Sequence, residues 1–279
     1  MKSVNLAKVG RYVFIVIFVL WSLFPIYWIA ATSLKGTDEA IMIPPVWFPA
    51  TLHLENYLNP VPIQDPYRGW TGVIDSVICA VGAASLALVL GLFGAFGFSK
   101  LNIRGTNGFL NWILSVRMLP VVAVIIPIHM LFRSLYLVDT YWGIWIAHLY
   151  FNLPFCVLML KSFFDAVPTD LIESAMVEGY SNSEVFRKIA LPLITPGLAT
   201  TFFFSFIFSW NEFLFQWLLT KSSVRAVMIV IPNVIKSPGT EYWNVMSAIG
   251  VISFVPVIIA AIVLQRHLVK GLTFGVIKR

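Results

Sequence analysis

The stretch of sequence that decides the fold of this chain reads Glu173-Ser174-Ala175-Met176-Val177-Glu178-Gly179 and, nine residues later, Ile189-Ala190-Leu191-Pro192. It belongs to a polar segment of about thirty residues that lies between two long apolar runs. Because each flanking run is long enough to cross a bilayer, the polar segment is predicted to lie outside the membrane.

Residues typical of helix ends divide this polar segment. Gly179 supplies the left-handed residue that closes a helix, and Ser181 with Glu184 forms a capping box that starts the next one. Pro192 and then Pro196 are expected to end the run. The pattern predicts two short helices at a sharp angle. Small residues are expected on the outer surface, where another protein can approach the backbone: Ser174, Ala175, Gly179.

The composition of the whole chain is that of an integral membrane protein. Hydrophobic residues make up 59% of the 279 residues and charged residues 11%, and the mean hydropathy is +0.86. We predict an all-α membrane protein with a single transmembrane domain, 1–279, and with the polar segment, about 165–196, between helices 4 and 5. The six predicted spans are approximately 12–31, 76–98, 109–132, 140–160, 198–219 and 245–265.

The distribution of basic residues predicts the orientation. Twelve of the 19 Lys and Arg residues lie on the side of the two termini, six lie on the other side, and Arg117 falls within a span. Basic residues favour the cytoplasmic side, so both termini and the polar segment are predicted to be cytoplasmic. The same residues meet anionic lipid at the span ends, and the pI near 9.4 therefore does not call for a nucleic-acid partner.

The spacing of the quoted stretch resembles the E-A-A, three residues, G, nine residues, I-x-L-P signature of the membrane subunits of ABC importers, with Ser174 in place of the second alanine. In that family this loop is the coupling helix that docks into a cleft of the ATPase subunit. The resemblance implies two ATPase partner subunits, which bind ATP and Mg, and no cofactor in this chain. It also implies a set of ATPase-coupling residues: Glu173, Ser174, Ala175, Gly179, Ile189, Leu191, Pro192.

Polar residues inside the predicted spans are candidates for the translocation path. Polar and ionisable side chains are costly in a bilayer and usually face protein or water. For Arg117, the alternative to a place in the path is that its side chain reaches the membrane interface, because it is close to the cytoplasmic end of its span. The polar groups of spans four and five could equally hold two permease subunits together. The candidates are Arg117 in the third span, Asn152 in the fourth, and Trp210, Asn211 and Glu212 in the fifth.

Two further stretches resemble carbohydrate importers of the same family. Trp210-Asn211-Glu212-Phe213 is similar to their W-N-x-F stretch, and Gly271-Leu272-Thr273-Phe274-Gly275 is similar to the G-L-T-x-G ending of the maltose-type permease. The chain thus resembles the second, six-helix membrane subunit of such an importer. That resemblance implies a bacterial or archaeal plasma membrane, a second permease subunit, an extracytoplasmic solute-binding protein and alternating access. A neutral sugar, oligosaccharide or polyol is expected as substrate, with an acidic or phosphorylated sugar as the alternative.

Other classes of function find little support in the sequence. It contains no G-x-x-x-x-G-K-[ST] phosphate loop, no H-E-x-x-H metal motif and no G-x-S-x-G nucleophile elbow, which argues against an enzyme. An ion-coupled secondary transporter would need intramembrane carboxylates and related halves, whereas only Glu212 qualifies. Cys79 and Cys156 both fall in apolar spans, and we expect them to be buried and unpaired.

Overall fold

The computed structural model describes residues 6–58, 69–101, 103–233 and 242–274, and every regular element in those ranges is a helix. One π-helical turn, Phe186–Ala190, joins the short α-helices Asn182–Val185 and Leu191–Leu193. The α-helices are α1 (Leu6–Ser33), α2 (Thr37–Ala40), α3 (Glu55–Leu58), α4 (Gly69–Lys100), α5 (Thr106–Met118), α6 (Val121–Ser134), α7 (Tyr141–Asp165), α8 (Thr169–Val177), α9 (Asn182–Val185), α10 (Leu191–Leu193), α11 (Thr195–Trp210), α12 (Leu214–Leu219), α13 (Val227–Asn233) and α14 (Trp243–Phe274).

The predicted all-α membrane fold is confirmed. Within the described residues, four helices are long and apolar enough to cross a membrane, or up to six if each of two bent helix pairs counts as one span. The four are Gly10–Ser33, Trp70–Lys100, Tyr141–Asp165 and Trp243–His267. Residues 275–279, which include the last glycine of the predicted C-terminal motif, lie outside the described residues.

The third predicted span is bent rather than straight. Helices α5 and α6 meet at an angle of 93° across Leu119 and Pro120. Leu119 is extended, with φ −66° and ψ 131°, because the proline ring disfavours the helical conformation of the preceding residue. Pro127 lies inside α6, and the helix continues through it.

The described residues form two compact units, of which the first comprises residues up to Trp70 together with Val230–Val255. In this unit, Asn56 ties the loop after α1 to the end of that helix: its Nδ2 donates to the carbonyl oxygens of Ser33 and Lys35, at 2.9 and 3.0 Å. The Lys35 side chain is buried, donates to the Val46 carbonyl at 2.6 Å, and lies 4.3 Å from the ring centre of Trp28. These contacts satisfy a buried cation with a carbonyl oxygen and an aromatic face.

The second unit comprises Thr71–Ile229 and the chain from Pro256 onwards, and small residues allow its helices to pack closely. Gly91 of α4 faces α7 so closely that an added Cβ would lie 2.6 Å from Cβ of Cys156. Close backbone approach is what stabilises helix pairs in lipid, where water exclusion contributes little. Cys79 and Cys156 are both buried and free, as predicted from their positions in apolar spans.

This packing predicts different outcomes for two glycines of α4. Gly91→Ala should lower the free energy of unfolding by roughly 1–3 kcal/mol, the usual cost of overpacking. Gly94→Ala is the matched control, because its Cβ would meet only Val157 Cγ2 at an ordinary 3.5 Å. It should be neutral or slightly stabilising, since alanine favours helices. Thermal unfolding in detergent measures both variants, and equal melting temperatures would contradict the packing argument.

Candidate functional site

The end of α8 has the geometry that the sequence predicts for Gly179. This residue has a φ of +94°, the left-handed conformation that glycine adopts without strain. The Gly179 amide donates to the Met176 carbonyl and the Tyr180 amide donates to the Ala175 carbonyl, both at 3.1 Å. This pair of bonds is a Schellman motif, which closes the helix and fixes the direction of the chain beyond it. A Cβ at Gly179 would meet nothing within 4 Å, so conformation rather than crowding requires glycine here.

The second helix of the segment begins at the predicted capping box. Ser181 Oγ accepts from the Glu184 amide at 3.4 Å, and the Ser181 amide donates to the Glu184 carboxylate at 3.1 Å. Lys188, one turn further on, forms an ion pair with the same carboxylate at 2.9 Å. The reciprocal bonds satisfy two amides that would otherwise lack partners at the helix start.

Two details of the predicted segment are wrong. Ala175 was expected on the outer surface, but only 4% of it is exposed, because it faces the core between α8 and the following helix. Pro192 and Pro196 were expected to end the helical run, but they lie in the first turns of α10 and α11. An amide in the first turn has no intrahelical partner, so proline is tolerated there. The chain bends between them at Ile194, which has φ −92° and ψ 8°.

The remaining candidate coupling residues form two groups, one with exposed side chains and one with half-buried side chains. Glu173, Ser174, Gly179 and Pro192 are exposed. Ile189 and Leu191 are half-buried, and they pack against the hydrophobic core under the segment. The exposed group is therefore the part of the segment that is open to another molecule.

Aromatic packing and polar ties fix the segment to the membrane helices. The ring of Phe186 lies 5.0 Å from that of Phe96 in α4 and 6.5 Å from that of Phe164 in α7. Lys100 at the end of α4 donates to the Val167 carbonyl at 2.8 Å. Contacts from two membrane helices thus anchor the segment to them.

Among the candidates for the translocation path, Arg117 lies on an exposed face near the end of α5. Its guanidinium carbon is 5.6 Å from the ring centre of Phe155 in α7 and 5.8 Å from that of Phe208 in α11. A cation over two aromatic faces is stabilised without a carboxylate partner.

Asn211 and Glu212 form a break in the fifth span, where a continuous helix was expected. Helix α11 ends at Trp210 and α12 begins at Leu214. The Glu212 carboxylate accepts hydrogen bonds from the Phe215 amide, at 2.9 and 3.1 Å, and from the Gln216 amide at 3.2 Å. The acidic side chain thereby satisfies the free amides at the start of α12, as a helix cap does.

A residue that sequence reasoning missed lies beside this break. His148 of α7 is fully buried, and its Nε2 is 3.5 Å from the Glu212 carboxylate. Glu212 itself has 13% of its side chain exposed. No local sequence signal connects these two residues, because they come from different helices and only the fold brings them together.

Asn152 and Trp210 lie in the interior of the helix bundle. Asn152 is fully buried and donates to Ser209 Oγ at 2.7 Å, and Trp210 is 3% exposed. Asn211, by contrast, is exposed, and its side chain donates to the Ile207 carbonyl at 2.9 Å. Of the five path candidates, Arg117, Asn211 and part of Glu212 thus remain open to the surroundings of this chain.

The described residues contain no group of three or more His, Cys, Asp or Glu side chains that could hold a metal ion. In the fifth span, the Glu212 carboxylate caps α12, and Asn152 of α7 contacts Ser209 of α11.

Comparisons with known proteins agree with this architecture. Residues 87–274 match the family described as binding-protein-dependent transport system inner membrane component. The chain is 31% identical to the diacetylchitobiose uptake system permease protein DasC of Streptomyces coelicolor, over 100% of both chains. It is 29% identical to the trehalose/maltose transport system permease protein MalG of Thermococcus litoralis, over 92% of this chain and 91% of the relative.

A solved structure has the same fold. A chain from a bacterial ABC transporter that imports the acidic polysaccharide alginate superposes with a TM-score of 0.76 at 23% identity, covering 95% of this chain and 98% of the other. With the helical architecture and the family match over residues 87–274, the chain is a multi-pass membrane transport component rather than an enzyme, and it belongs to the family of binding-protein-dependent transport system inner membrane components.

Proposed function

We propose that this chain is one of two permease subunits of an ATP-driven sugar importer, and that residues 165–196 couple it to an ATPase subunit. The observation that carries the coupling role is the combination of an exposed edge with a rigid base. Glu173, Ser174 and Gly179 are open at the surface, while Phe186 is packed between α4 and α7. A segment built in this way transmits a displacement of its edge to the membrane helices.

The proposed complex contains a second permease subunit, two ABC ATPase subunits and an extracytoplasmic solute-binding protein. ATP and Mg bind to the ATPase subunits, and this chain needs no cofactor of its own. The absence of a phosphate loop from the sequence and the family to which the chain belongs support this division of labour. In the proposed arrangement, both termini and the coupling segment lie in the cytoplasm, as the distribution of Lys and Arg favours.

The translocation path is proposed to run along the exposed polar face that carries Arg117, Asn211 and Glu212. Charged and amide side chains in a membrane span are costly when they face lipid, so they are expected to face a water-filled cavity. Asn152 and Trp210 support this wall from behind, since they are buried. The cavity would open alternately to the two sides of the membrane as ATP binding and hydrolysis move the coupling segments.

A neutral sugar, short oligosaccharide or polyol is the proposed substrate. Two relatives are named for the transport of neutral sugars: diacetylchitobiose for one, and trehalose and maltose for the other. Arg117 is the cation of the proposed wall, and it already lies over the rings of Phe155 and Phe208. A related permease from Agrobacterium fabrum is named for sulfoquinovosyl glycerol transport, and it is 29% identical over 96% of this chain and 93% of its own. Because that solute carries a sulfonate, an anionic sugar is the alternative substrate to be tested.

The first prediction tests coupling. Gly179→Leu adds bulk to the exposed edge and places a side chain in the left-handed region, which costs roughly 1–2 kcal/mol. Substrate-stimulated ATPase activity of the purified complex should fall roughly tenfold or more, within the usual range of a coupling free energy. Assembly, followed by size exclusion, should be retained because a Cβ at Gly179 meets nothing within 4 Å.

Gly105→Leu is the matched control for this experiment. Gly105 also has a positive φ, +84°, and open space around it, but it lies outside the coupling segment. The control should keep its stimulated activity despite the same backbone strain. Equal activity of both variants, or normal stimulation in Gly179→Leu, would refute the coupling assignment.

The second prediction tests the path. A cysteine at Asn211 (Asn211→Cys) should react with water-soluble thiol reagents in the assembled complex, and bound sugar or a trapped nucleotide state should slow the reaction. Asn152→Cys should stay unreactive because Asn152 is fully buried. The native Cys79 and Cys156 are buried and should give little background. If Asn211→Cys is inert in every state, the break at Asn211 is a helix contact and not part of the path.

The third prediction tests the charge of the substrate. Uptake assays with matched neutral and acidic sugars should show a preference for the neutral form. Arg117→Gln should slow neutral uptake by a factor of roughly 2–30, the worth of a cation–π contact, without changing that preference. Arg104→Gln, which removes an exposed charge elsewhere, is the control. A preference for the acidic sugar that disappears in Arg117→Gln would assign Arg117 to an anion-binding site instead.

A further inference from the structure

We propose that a cavity at the end of α6 binds the phosphate group of a membrane phospholipid. The cavity has a volume of about 690 Å³, and residues from the end of α6, the loop that follows it and the chain after α12 line it. It is separate from the coupling segment and from the exposed polar face of Arg117 and Asn211. The inference depends on the membrane location of the chain and is independent of the solute that it carries.

Two cationic side chains provide the anion-binding chemistry of the cavity, and a histidine lies beside them. Arg133 lies in the last turn of α6, Lys221 follows α12, and His129 lies one turn before Arg133. Within the described residues, the Arg133 and Lys221 side chains form no ion pair and donate no hydrogen bond, and His129 Nδ1 is buried without a partner. Arg and Lys together offer eight donors to an oxyanion, and guanidinium groups bind phosphate oxygens in pairs.

The acidic residue of the lining does not neutralise these cations. The Asp139 carboxylate accepts hydrogen bonds from the amides of Lys221, Ser222, Ser223 and Val224, at distances from 2.8 to 3.2 Å. Burial favours a higher pKa for Asp139, but these backbone donors outweigh burial and lower the pKa to about 2. Asp139 therefore stays ionised at neutral pH, and it is held by backbone amides rather than by the Arg133 or Lys221 side chain. Two cations and one carboxylate leave the lining with a net positive charge for a ligand.

The cavity lies at the depth of the lipid headgroups. Helix α7 runs for 25 residues, or about 37 Å, from the neighbourhood of Asp139 to the coupling segment. This length exceeds the hydrocarbon core of about 30 Å, so the cavity is at the opposite membrane boundary. Exposed aromatic residues favour that boundary, and three occur in the segments that lead to the cavity or follow it: Tyr136 is 90% exposed, and Trp142 and Trp217 are each 61% exposed.

An apolar ridge leads from the cavity into the membrane region. Val122, Ile126 and Met130 follow one another at single-turn spacing on α6, and each is more than 60% exposed. Met130 itself lines the cavity. Acyl chains lying along this ridge would bring a phosphate to Arg133 and Lys221. An acidic peptide would match the cations but would leave the ridge uncovered, and this difference favours a lipid.

The test measures lipid occupancy at this position in the assembled transporter. A bimane fluorophore is attached to Ser134→Cys, which lines the cavity, and phosphatidylglycerol with a nitroxide near its headgroup is titrated in as the quencher. The complex is kept in dodecyl maltoside and a phosphate-free buffer, so that no other lipid phosphate competes. Nitroxide-labelled diacylglycerol is the neutral probe, and a bimane on Gly108→Cys, exposed and without close neighbours, is the reference position.

Phosphatidylglycerol is expected to quench the Ser134→Cys fluorophore at much lower concentration than diacylglycerol does. The double variant Arg133→Gln/Lys221→Gln should weaken this quenching roughly 25-fold, about fivefold for each cation at a membrane surface. Arg104→Gln, which removes one exposed charge at the other boundary, should leave it unchanged. The reference fluorophore should not distinguish the two probes.

Several results would overturn the proposal. Equal quenching by the two probes, or quenching that the double variant does not weaken, would show that the cavity does not recognise the phosphate group. A change in the Ser134→Cys bimane fluorescence on adding millimolar inorganic phosphate, without any lipid quenching, would assign the cavity to a free anion. Cross-linking of Ser134→Cys to the solute-binding protein without lipid quenching would assign it to a protein contact. Substrate-stimulated ATPase activity is measured on the same samples, so a failure of the lipid proposal is distinguishable from a failure of the transport proposal.

Discussion

The packing of Phe186 against Phe96 and Phe164 is the contact on which the proposed function depends. These three rings belong to the coupling segment, α4 and α7, and the ring centres of Phe96 and Phe164 are 5.4 Å apart. Aromatic side chains bury large areas in fixed relative orientations, so a displacement of one is passed to its neighbours. Because the interior is close-packed, such a cluster moves as a body rather than deforming locally. The segment that carries Gly179 is therefore connected to two membrane helices through Phe186.

The breaks in the membrane helices follow a common physical rule. A broken helix leaves backbone groups without partners, and in a bilayer these groups must be satisfied within the protein. At the fifth span, the Glu212 carboxylate accepts the amides of Phe215 and Gln216. At the third span, Tyr150 of α7 donates its hydroxyl to the Leu119 carbonyl at 2.6 Å. Polar side chains at these breaks are thus required by the backbone, whether or not they also face a solute.

Sequence reasoning succeeded where the determining residues are close in the chain. The apolar runs, the left-handed Gly179 and the capping box of Ser181 and Glu184 each depend on a few consecutive residues, and all were predicted. The burial of Ala175 was missed because the choice of face depends on which helix covers α8. The break after Trp210 was missed because neither proline nor glycine marks it. The contact of His148 with Glu212 joins residues 64 positions apart, which no local pattern encodes.

The hydrogen bonds of Asp139 have an evolutionary consequence. The Asp139 carboxylate accepts hydrogen bonds from four successive backbone amides that lie more than 80 positions further along the chain. Backbone amides are common to every residue except proline, so these bonds depend mainly on the path of the chain. Only the Ser222 hydroxyl adds a side-chain bond to the carboxylate, at 3.3 Å. Ser223 is therefore free to vary among descendants of this protein without loosening the loop, while a proline at either position removes a donor. The loop can diversify in sequence and still keep its shape.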